Sequence, residues 1–325
     1  IKKEGLAEVA AGADILDVNM GVPGVDQAAA METAISQLSM LCPVPFSIDS
    51  TDPVVIERAL KVYPGRPLIN SVNAAEEEAL EKILKLAKQY GAAVLCLPLE
   101  KGNLPATAEE RVRIIHRIVE KADEIGLRRE DLLLDPLVLT VGSGEKGASE
   151  TLRTIRLYKE EFGFPCVMGT SNVSFGLPSR PRINAAFLTM AFACGMNAPI
   201  INPLDQGIKD AFINAKLLLG FDKGAANFIQ TQFQEGKTAA IIDGPWKASS
   251  LKEAKVNYGV ATIPTLPNGK AYSAFGGGKA WVIPAGANHP EAAQKFVDFL
   301  TTTDQQKALY DKTNEVPANT EAREY

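Results

Sequence analysis

Histidine is nearly missing from this chain of 325 residues: there are two, His116 in a helical pattern and His289 in a loop. That scarcity excludes most metal centres and the histidine-based catalytic triads. Cysteine is sparse as well, with residues at 42, 96, 166 and 194 and no C-x-x-C spacing. Neither a disulfide framework nor a zinc site is expected, and Cys96, Cys166 and Cys194, in or beside apolar runs, read as reduced buried thiols. No stretch of about 18 apolar residues exists, and the opening IKKEGLAEVAAGADILDV lacks the apolar segment and cleavage pattern of a secretory signal. The chain therefore reads as cytoplasmic and without a membrane span. An excess of positive charge is also lacking: 34 Lys and Arg face 39 Asp and Glu, for a net charge of -5 and a pI near 5.4. Nucleic acid and acidic lipid are thereby disfavoured, leaving small molecules or proteins as partners.

What is present is a large apolar complement, 46% hydrophobic against 22% charged, enough for one big domain or a big one with a small one. From residue 14 to 205 short apolar runs alternate with stretches of helical period. The runs are ADILDVNMG, PFSIDS, PLINSVN, AAVLCLPLE, LLLDPLVL, CVMGTSNVS and APIINPLD. Segments such as AEEEALEKILKLAKQYG (75 to 91) and TAEERVRIIHRIVEKADEIG (107 to 126) place apolar residues at three and four spacing and close on a glycine suited to a helix C-terminus. Repeated strand-helix-strand units mean a parallel sheet. All but one of the runs carry Asp or Asn at or just past the C-terminal end: Asp17 and Asn19, Asp49, Asn70 and Asn73, Asp135, Asn172, then Asn202 and Asp205. In a closed barrel these ends converge on one mouth, whereas in an open doubly wound sheet they would be strung along an edge. A barrel is the architecture that explains them together. Residues Ser50, Thr51 and Asp52 before Pro53 read instead as a helix N-cap.

After about residue 234 the texture changes to strand patterns with aromatic residues and Gly- and Pro-rich turns, including both tryptophans, Trp246 and Trp281. The domains expected are 1–233 and 234–325, joined through a helix over about 207 to 233 without a flexible Gly/Ser linker. GSGEKG (142 to 147) matches the G-x-G-x-x-G spacing, but it falls late in a barrel pattern and reads as an ordinary loop between strand and helix. FGGGK (275 to 279) lacks the spacing of a phosphate-binding loop and reads as a bulge or tight strand entry.

Carboxylates and carboxamides at a barrel mouth, with almost no lysine or histidine among them, are poorly suited to hydrolysis or Schiff-base chemistry. They suit a flat heterocycle, because a carboxylate accepts two parallel N–H bonds from an amino-pyrimidinone edge and amides supply a paired donor and acceptor. Asp49 would be such an acceptor held on a rigid strand. The alternative is a set of buried Asp and Asn tied into their own loops.

At these residues the sequence resembles a known family. GADILDVNMG, SIDSTDP, PLINSVNAAEEE, LLLDPLVLTVG, GTSNVSFGLPSR and NAAFLTMAFACGMNAPIINPLD, in that order over about residues 4 to 230, are similar to the pterin-binding barrel of methyltetrahydrofolate-dependent methyltransferases, the module found in cobalamin-dependent methionine synthase and in corrinoid iron-sulfur protein methyltransferases. The resemblance implies that Asp49, Asn70 and Asp135 bind the pterin ring, that Asp17 and Asn19 line its floor, and that Asn172 is the catalytic residue near N5. It implies methyltetrahydrofolate as substrate, no directly bound metal, and a corrinoid carried by a partner protein, since the D-x-H-x-x-G pattern of a corrinoid-binding domain is absent from this chain.

The later stretches FQEGKTAAIIDGPWKAS, VNYGVATIPTLPNGK and NHPEAAQKFVDFLTTTDQQKALYDKTNEVPANTEA resemble the latter part of maltose- or maltodextrin-type sugar-binding proteins of ABC transporters, a periplasmic-binding-protein type of α/β fold. That resemblance implies sugar stacking at Trp246 of the G-P-W turn. The methyltransferase family begins with a strand carrying a G-E-R-I-N type motif, and this chain starts after it, so the expected fold is a (β/α)8-type TIM barrel lacking its usual first strand. The open edge would be covered by a second copy in a homodimer or by segment 237 to 244, whose pattern suits a parallel eighth strand. Joined fragments of two families look like a chimera, so two alternatives stand beside folate-dependent methyl transfer to a corrinoid: a sugar-binding module of a transporter, and an engineered fusion without activity.

Overall fold

The structure, a computed structural model, describes residues 1–142, 144–261, 269, 282–284, 286–313 and 316–324. The chain divides into two compact units, Ile1–Phe221 and Asp222–Tyr325.

The first unit alternates helix and strand from end to end. After α1 (Lys2–Ala10) come β1 (Leu16–Asn19), α2 (Gln27–Ser39), β2 (Phe46–Asp49), α3 (Pro53–Val62), β3 (Leu68–Ala74), α4 (Glu77–Tyr90) and β4 (Ala93–Glu100). The order continues with α5 (Ala108–Ile125), β5 (Leu132–Leu134), α6 (Gly147–Glu161), β6 (Val167–Gly169), α7 (Arg180–Cys194), β7 (Ala198–Ile200) and α8 (Gln206–Leu218). Strands β1 to β5 form one parallel sheet in chain order, and β6 and β7 form a second parallel pair. The two are linked where Leu134 bridges Cys166 and the Leu134 N–H donates to the Pro165 carbonyl at 2.9 Å. Strands laid side by side in chain order, with no reversal at a switch point, are the barrel arrangement expected from the sequence.

Alternation along each strand sorts side chains between two faces. Leu16 and Val18 on β1, Phe46 and Ile48 on β2, Ile69 on β3 and Val94 on β4 are all 5% exposed or less and join the helices' Met31, Ile35, Ile56, Leu84, Ile114 and Ile118 in one core. Each such side chain contributes roughly 1.5–3 kcal/mol when fully buried. Helix ends follow the local chemistry. Asp52 caps α3 by accepting from the Val54 N–H at 2.8 Å, with Pro53 at the first position. Thr107 and Glu110 close a capping box on α5, and Gly91 and Gly126 end α4 and α5 in the left-handed conformation.

Beyond β7 the expectations need correction. A single helix over 207 to 233 does not form: α8 stops at Leu218, and Gly220 (φ 76°) and Gly224 (φ 65°) turn the chain before α9 (Ala226–Gln234). Asp222 caps this helix, accepting from the Asn227 and Phe228 N–H groups at 3.0 and 2.8 Å. Residues 237–244 are not a strand. The Lys237 and Thr238 N–H groups donate back to the Gln232 carbonyl, and Ile242 is 76% exposed. With Gly236 at φ 70° before it and Pro245 after it, the β-branched pair Ile241–Ile242 has no ladder to join, and β propensity alone does not hold an isolated strand. The described remainder of the second unit is helical, with α10 (Lys247–Glu253), α11 (Pro290–Leu300) and α12 (Thr303–Thr313). Gln306 on α12 ties the last two together, donating to the Leu300 carbonyl at 2.9 Å and accepting from the Ala318 N–H at 3.0 Å. FGGGK (275 to 279) and Trp281 lie outside the described residues.

Candidate functional site

On β1, Asp17 and Asn19 share the face opposite Leu16 and Val18, and the parallel register sets Asn19 beside Asp49 and Asp49 beside Asn70. The C-terminal ends of three neighbouring strands thus carry one polar row. Asn19 Nδ2 donates to Asp49 Oδ2 at 2.8 Å, while Asn19 Oδ1 accepts the Gly21 N–H at 2.8 Å. Asn70 Nδ2 donates to Asp17 Oδ1 at 3.2 Å. Each acid is therefore matched to an amide on an adjoining or next strand. Burial pushes the Asp49 carboxyl above its ordinary value; the Asn19 amide opposes that shift, and the nearby Asp17 charge adds to it.

Asp135 follows β5. Its N–H donates to the Cys96 carbonyl at 2.9 Å, its Oδ1 accepts the Leu137 N–H at 2.7 Å, and its own carbonyl accepts the Tyr158 hydroxyl at 3.3 Å. The residue keeps some surface, but the packed protein around its carboxyl strips hydration and raises its pKa from 3.8 to about 7. The Leu137 N–H and the charge of Arg111 hold it from rising further. A carboxyl poised there exchanges its proton near neutrality.

Asn172 sits in the 3-10 turn Thr170–Ser174 that leaves β6, and it is exposed. A Cβ placed on Gly169 would lie 3.2 Å from Asn172 Nδ2, so the glycine makes room for the amide. Arg180, at the start of α7, holds this turn: its Nη2 donates to the Ser171 carbonyl at 3.0 Å and its Nε to Ser174 Oγ at 3.2 Å. Its guanidinium also lies 5.8 Å from the centre of the exposed Phe175 ring.

Three of the strand-end residues turn out to serve their own loops. Asn73 accepts the Ala75 N–H, Asn202 the Leu204 N–H, and Asp205 caps α8 through the Ile208 N–H. The sequence reading places these three among the polar strand ends expected at the barrel mouth without giving them a ligand role, and capping and turn formation account for them. Two arginines escaped that reading. Arg180 stood unremarked in the motif GTSNVSFGLPSR, and Arg111 falls three residues after Ala108 and four before Ile115, inside the buried stripe of α5. An arginine in register with an apolar stripe is a signal that sequence carries.

A surface concavity of about 690 Å³ lies elsewhere, between α4 and α5. Its lining is mostly charged and polar, with Lys85 paired to Glu81, Lys121 to Glu124 and Lys88 donating to the Ile125 carbonyl, and none of the strand-end residues reaches it. Among the described residues no cluster of His, Cys, Asp and Glu is arranged to hold a metal ion. In the second unit Trp246 is 59% exposed and its indole lies over Gly244, where a Cβ would fall 2.1 Å from the ring. Only glycine fits beneath it.

A parallel barrel whose strand ends carry acid–amide pairs defines a class of small-molecule site, and comparison with known proteins places it. Residues 2–202 match the pterin binding enzyme family, and the chain belongs to that family. Residues 204–324 match bacterial extracellular solute-binding proteins. A methionine synthase of Mycobacterium tuberculosis is 30% identical over 259 residues, 74% of this chain and 21% of that protein. A methylcorrinoid:tetrahydrofolate methyltransferase of Eubacterium limosum is 23% identical over 74% of this chain and 89% of its own length. The second segment is 79% identical over 103 residues to a maltooligosaccharide ABC transporter solute-binding lipoprotein of Streptococcus pneumoniae, over 32% of this chain and 24% of that relative's length. The chain thus spans about a quarter of that relative. In fold, the barrel is similar to dihydropteroate synthase from Xanthomonas albilineans in complex with 7,8-dihydropteroate, at a TM-score of 0.55 and 19% identity, covering 68% of this chain and 84% of that one.

Proposed function

We propose that the barrel binds methyltetrahydrofolate and presents its N5-methyl group for transfer to the cobalt of a corrinoid carried by a partner protein. The observation that carries this reading is the in-register row Asn19–Asp49–Asn70, paired to Asp17 and set in the same parallel barrel as Asp135, in a chain of the pterin binding enzyme family. Asp135 in its ionised form accepts two N–H bonds from the amino-pyrimidinone edge, Asp49 and Asn70 complete the ring's polar contacts, and Asp17 and Asn19 form the floor.

A methyl on a tertiary amine leaves poorly until N5 gains a proton. The Asn172 amide oxygen accepts from that N–H as it forms, and so favours the transition state over the neutral ground state. Its exposed position on the turn after β6 leaves it open to a bound ring, and Arg180 keeps the turn in place. The corrinoid supplies the nucleophile for the methyl group.

The test is methyl transfer from methyltetrahydrofolate to reduced free cobalamin, followed by the loss of cobalt(I) absorbance. Transfer that depends on this protein supports the reading; absence of both transfer and folate binding overturns it. The exposed Trp246 favours a second reading for residues 204–324, contact with a maltodextrin through the indole face. Quenching or shift of tryptophan emission on adding maltodextrin would support it, and unchanged emission with no heat of binding would refute it.

A further inference from the structure

Arg111 is fully buried on α5, and its hydrogen bonds run to carbonyls and hydroxyls. Nη1 donates to the Pro136 carbonyl at 2.9 Å and the Leu137 carbonyl at 3.0 Å, with longer contacts to Thr151 and Thr154 Oγ1 at 3.3 and 3.4 Å. Nε reaches the Pro105 carbonyl at 3.4 Å, and the buried Nη2 has no hydrogen-bond partner among the described residues. Burying a guanidinium among neutral acceptors, with one nitrogen unsatisfied, is a poor way to fill a core position that an apolar side chain could occupy. The compensation lies in what the two short bonds hold.

Both go to the turn that immediately follows Asp135. Leu137 adopts φ 59°, the left-handed region that a bulky side chain disfavours. Its carbonyl accepts from Arg111 and from Thr151 Oγ1 at 2.9 Å, and its N–H is taken by Asp135 Oδ1 at 2.7 Å. The carboxylate of Asp135 is aimed by the Leu137 N–H, and the Leu137 peptide is fixed by Arg111 and Thr151. We propose that Arg111 is a positioning residue of the pterin site, clamping the Pro136–Leu137 turn so that the Asp135 carboxylate is held ready for the ring's N–H donors. The proposal rests on the reading of Asp135 as a pterin ligand.

The groups around Asp135 favour this role. Tyr158 from α6 and Cys166 ahead of β6 face it, Cys96 on β4 takes its N–H, and Glu150 on α6 faces Arg111 in turn. Arg111 is the cation of this set, so it also biases Asp135 toward the ionised form that the ring's two N–H groups require.

The test uses the full chain. The Asp135 carboxyl is titrated by carbon-13 NMR without folate, its signal identified by its loss in Asp135→Asn, and methyltetrahydrofolate affinity is measured on the same proteins. Arg111→Gln is expected to raise the Asp135 midpoint by about 1 unit or more and to weaken folate binding at pH 7 by roughly tenfold. Thr154→Val, which leaves both carbonyl bonds and the charge in place, is expected to change neither. A midpoint in Arg111→Gln equal to that of the unmodified chain overturns the proposal. Should that variant fail to fold, Arg111→Lys is read by the same titration: one ammonium cannot hold both carbonyls as the guanidinium does, so the midpoint rises by a smaller amount, and a midpoint that stays put overturns it. Absence of folate binding by the unmodified chain would sink the function proposed above, while the midpoint comparison would still decide the role of Arg111.

Discussion

Replacing Asp135 by Asn should make the barrel more stable at pH 8 and leave it nearly unchanged at pH 4. The folded carboxyl titrates at about 7 against an ordinary value of 3.8. Between those values the folded chain keeps a proton that the unfolded chain has lost, so the contribution of Asp135 to stability falls as pH rises through that window. About three units at about 1.4 kcal/mol each give a penalty of roughly 4 kcal/mol once the carboxyl is forced to ionise in place. Asn is neutral throughout, has nearly the same shape, and its Oδ1 can still accept the Leu137 N–H that Asp135 now holds at 2.7 Å. The difference between variant and parent should therefore grow from near zero at pH 4 to roughly 4 kcal/mol at pH 8. Urea unfolding followed by far-UV circular dichroism measures it. Both tryptophans lie beyond residue 221, so their emission separates the unfolding of the second unit from that of the barrel. Stability curves that stay parallel from pH 4 to pH 8 would refute the reasoning, because they would mean that the carboxyl ionises as freely in the fold as in the unfolded chain.

The same carboxyl should make folate affinity pH-dependent. Binding needs the ionised form, so affinity should rise between about pH 6 and pH 8 with release of one proton, and a flat profile by calorimetry would count against Asp135 as the acceptor. Asn172→Ala should slow methyl transfer by roughly 10- to 100-fold while changing affinity for methyltetrahydrofolate little; equal losses in both would reassign Asn172 to ground-state binding. Asp52→Ala removes the cap on α3 and should cost about 1 kcal/mol in urea unfolding, with no effect on ligand affinity.

The strands and helices of the barrel were legible because two periods alternate along the chain and because glycine marks the ends of α4 and α5. Asp and Asn at strand ends were equally plain. Their division was not: a strand-end Asp that caps the next helix, such as Asp205, and one that faces neighbouring strands, such as Asp49, occupy the same place in the pattern, and only register and hydrogen bonding tell them apart. Arg111 was hidden for the opposite reason, since one charge in an apolar stripe is easily read as the edge of the polar face. The failure at 237–244 has another origin. β-branched residues state a preference for extended backbone, but a strand exists only where a neighbour supplies the ladder, and that is a property of the whole fold. The break in the helix expected over 207 to 233 came from Gly220 and Gly224 in left-handed conformations, which the apolar period alone does not reveal.

Isothermal titration of methyltetrahydrofolate into the unmodified chain and into Asp135→Asn at pH 8 bears most directly on the central claim. A saturating, one-to-one heat of binding is expected for the unmodified chain, with affinity lower by about 1.5 to 3 kcal/mol, or roughly 10- to 100-fold, in the variant. The absence of any saturable heat with the unmodified chain, or equal affinity in the two proteins, would contradict the account.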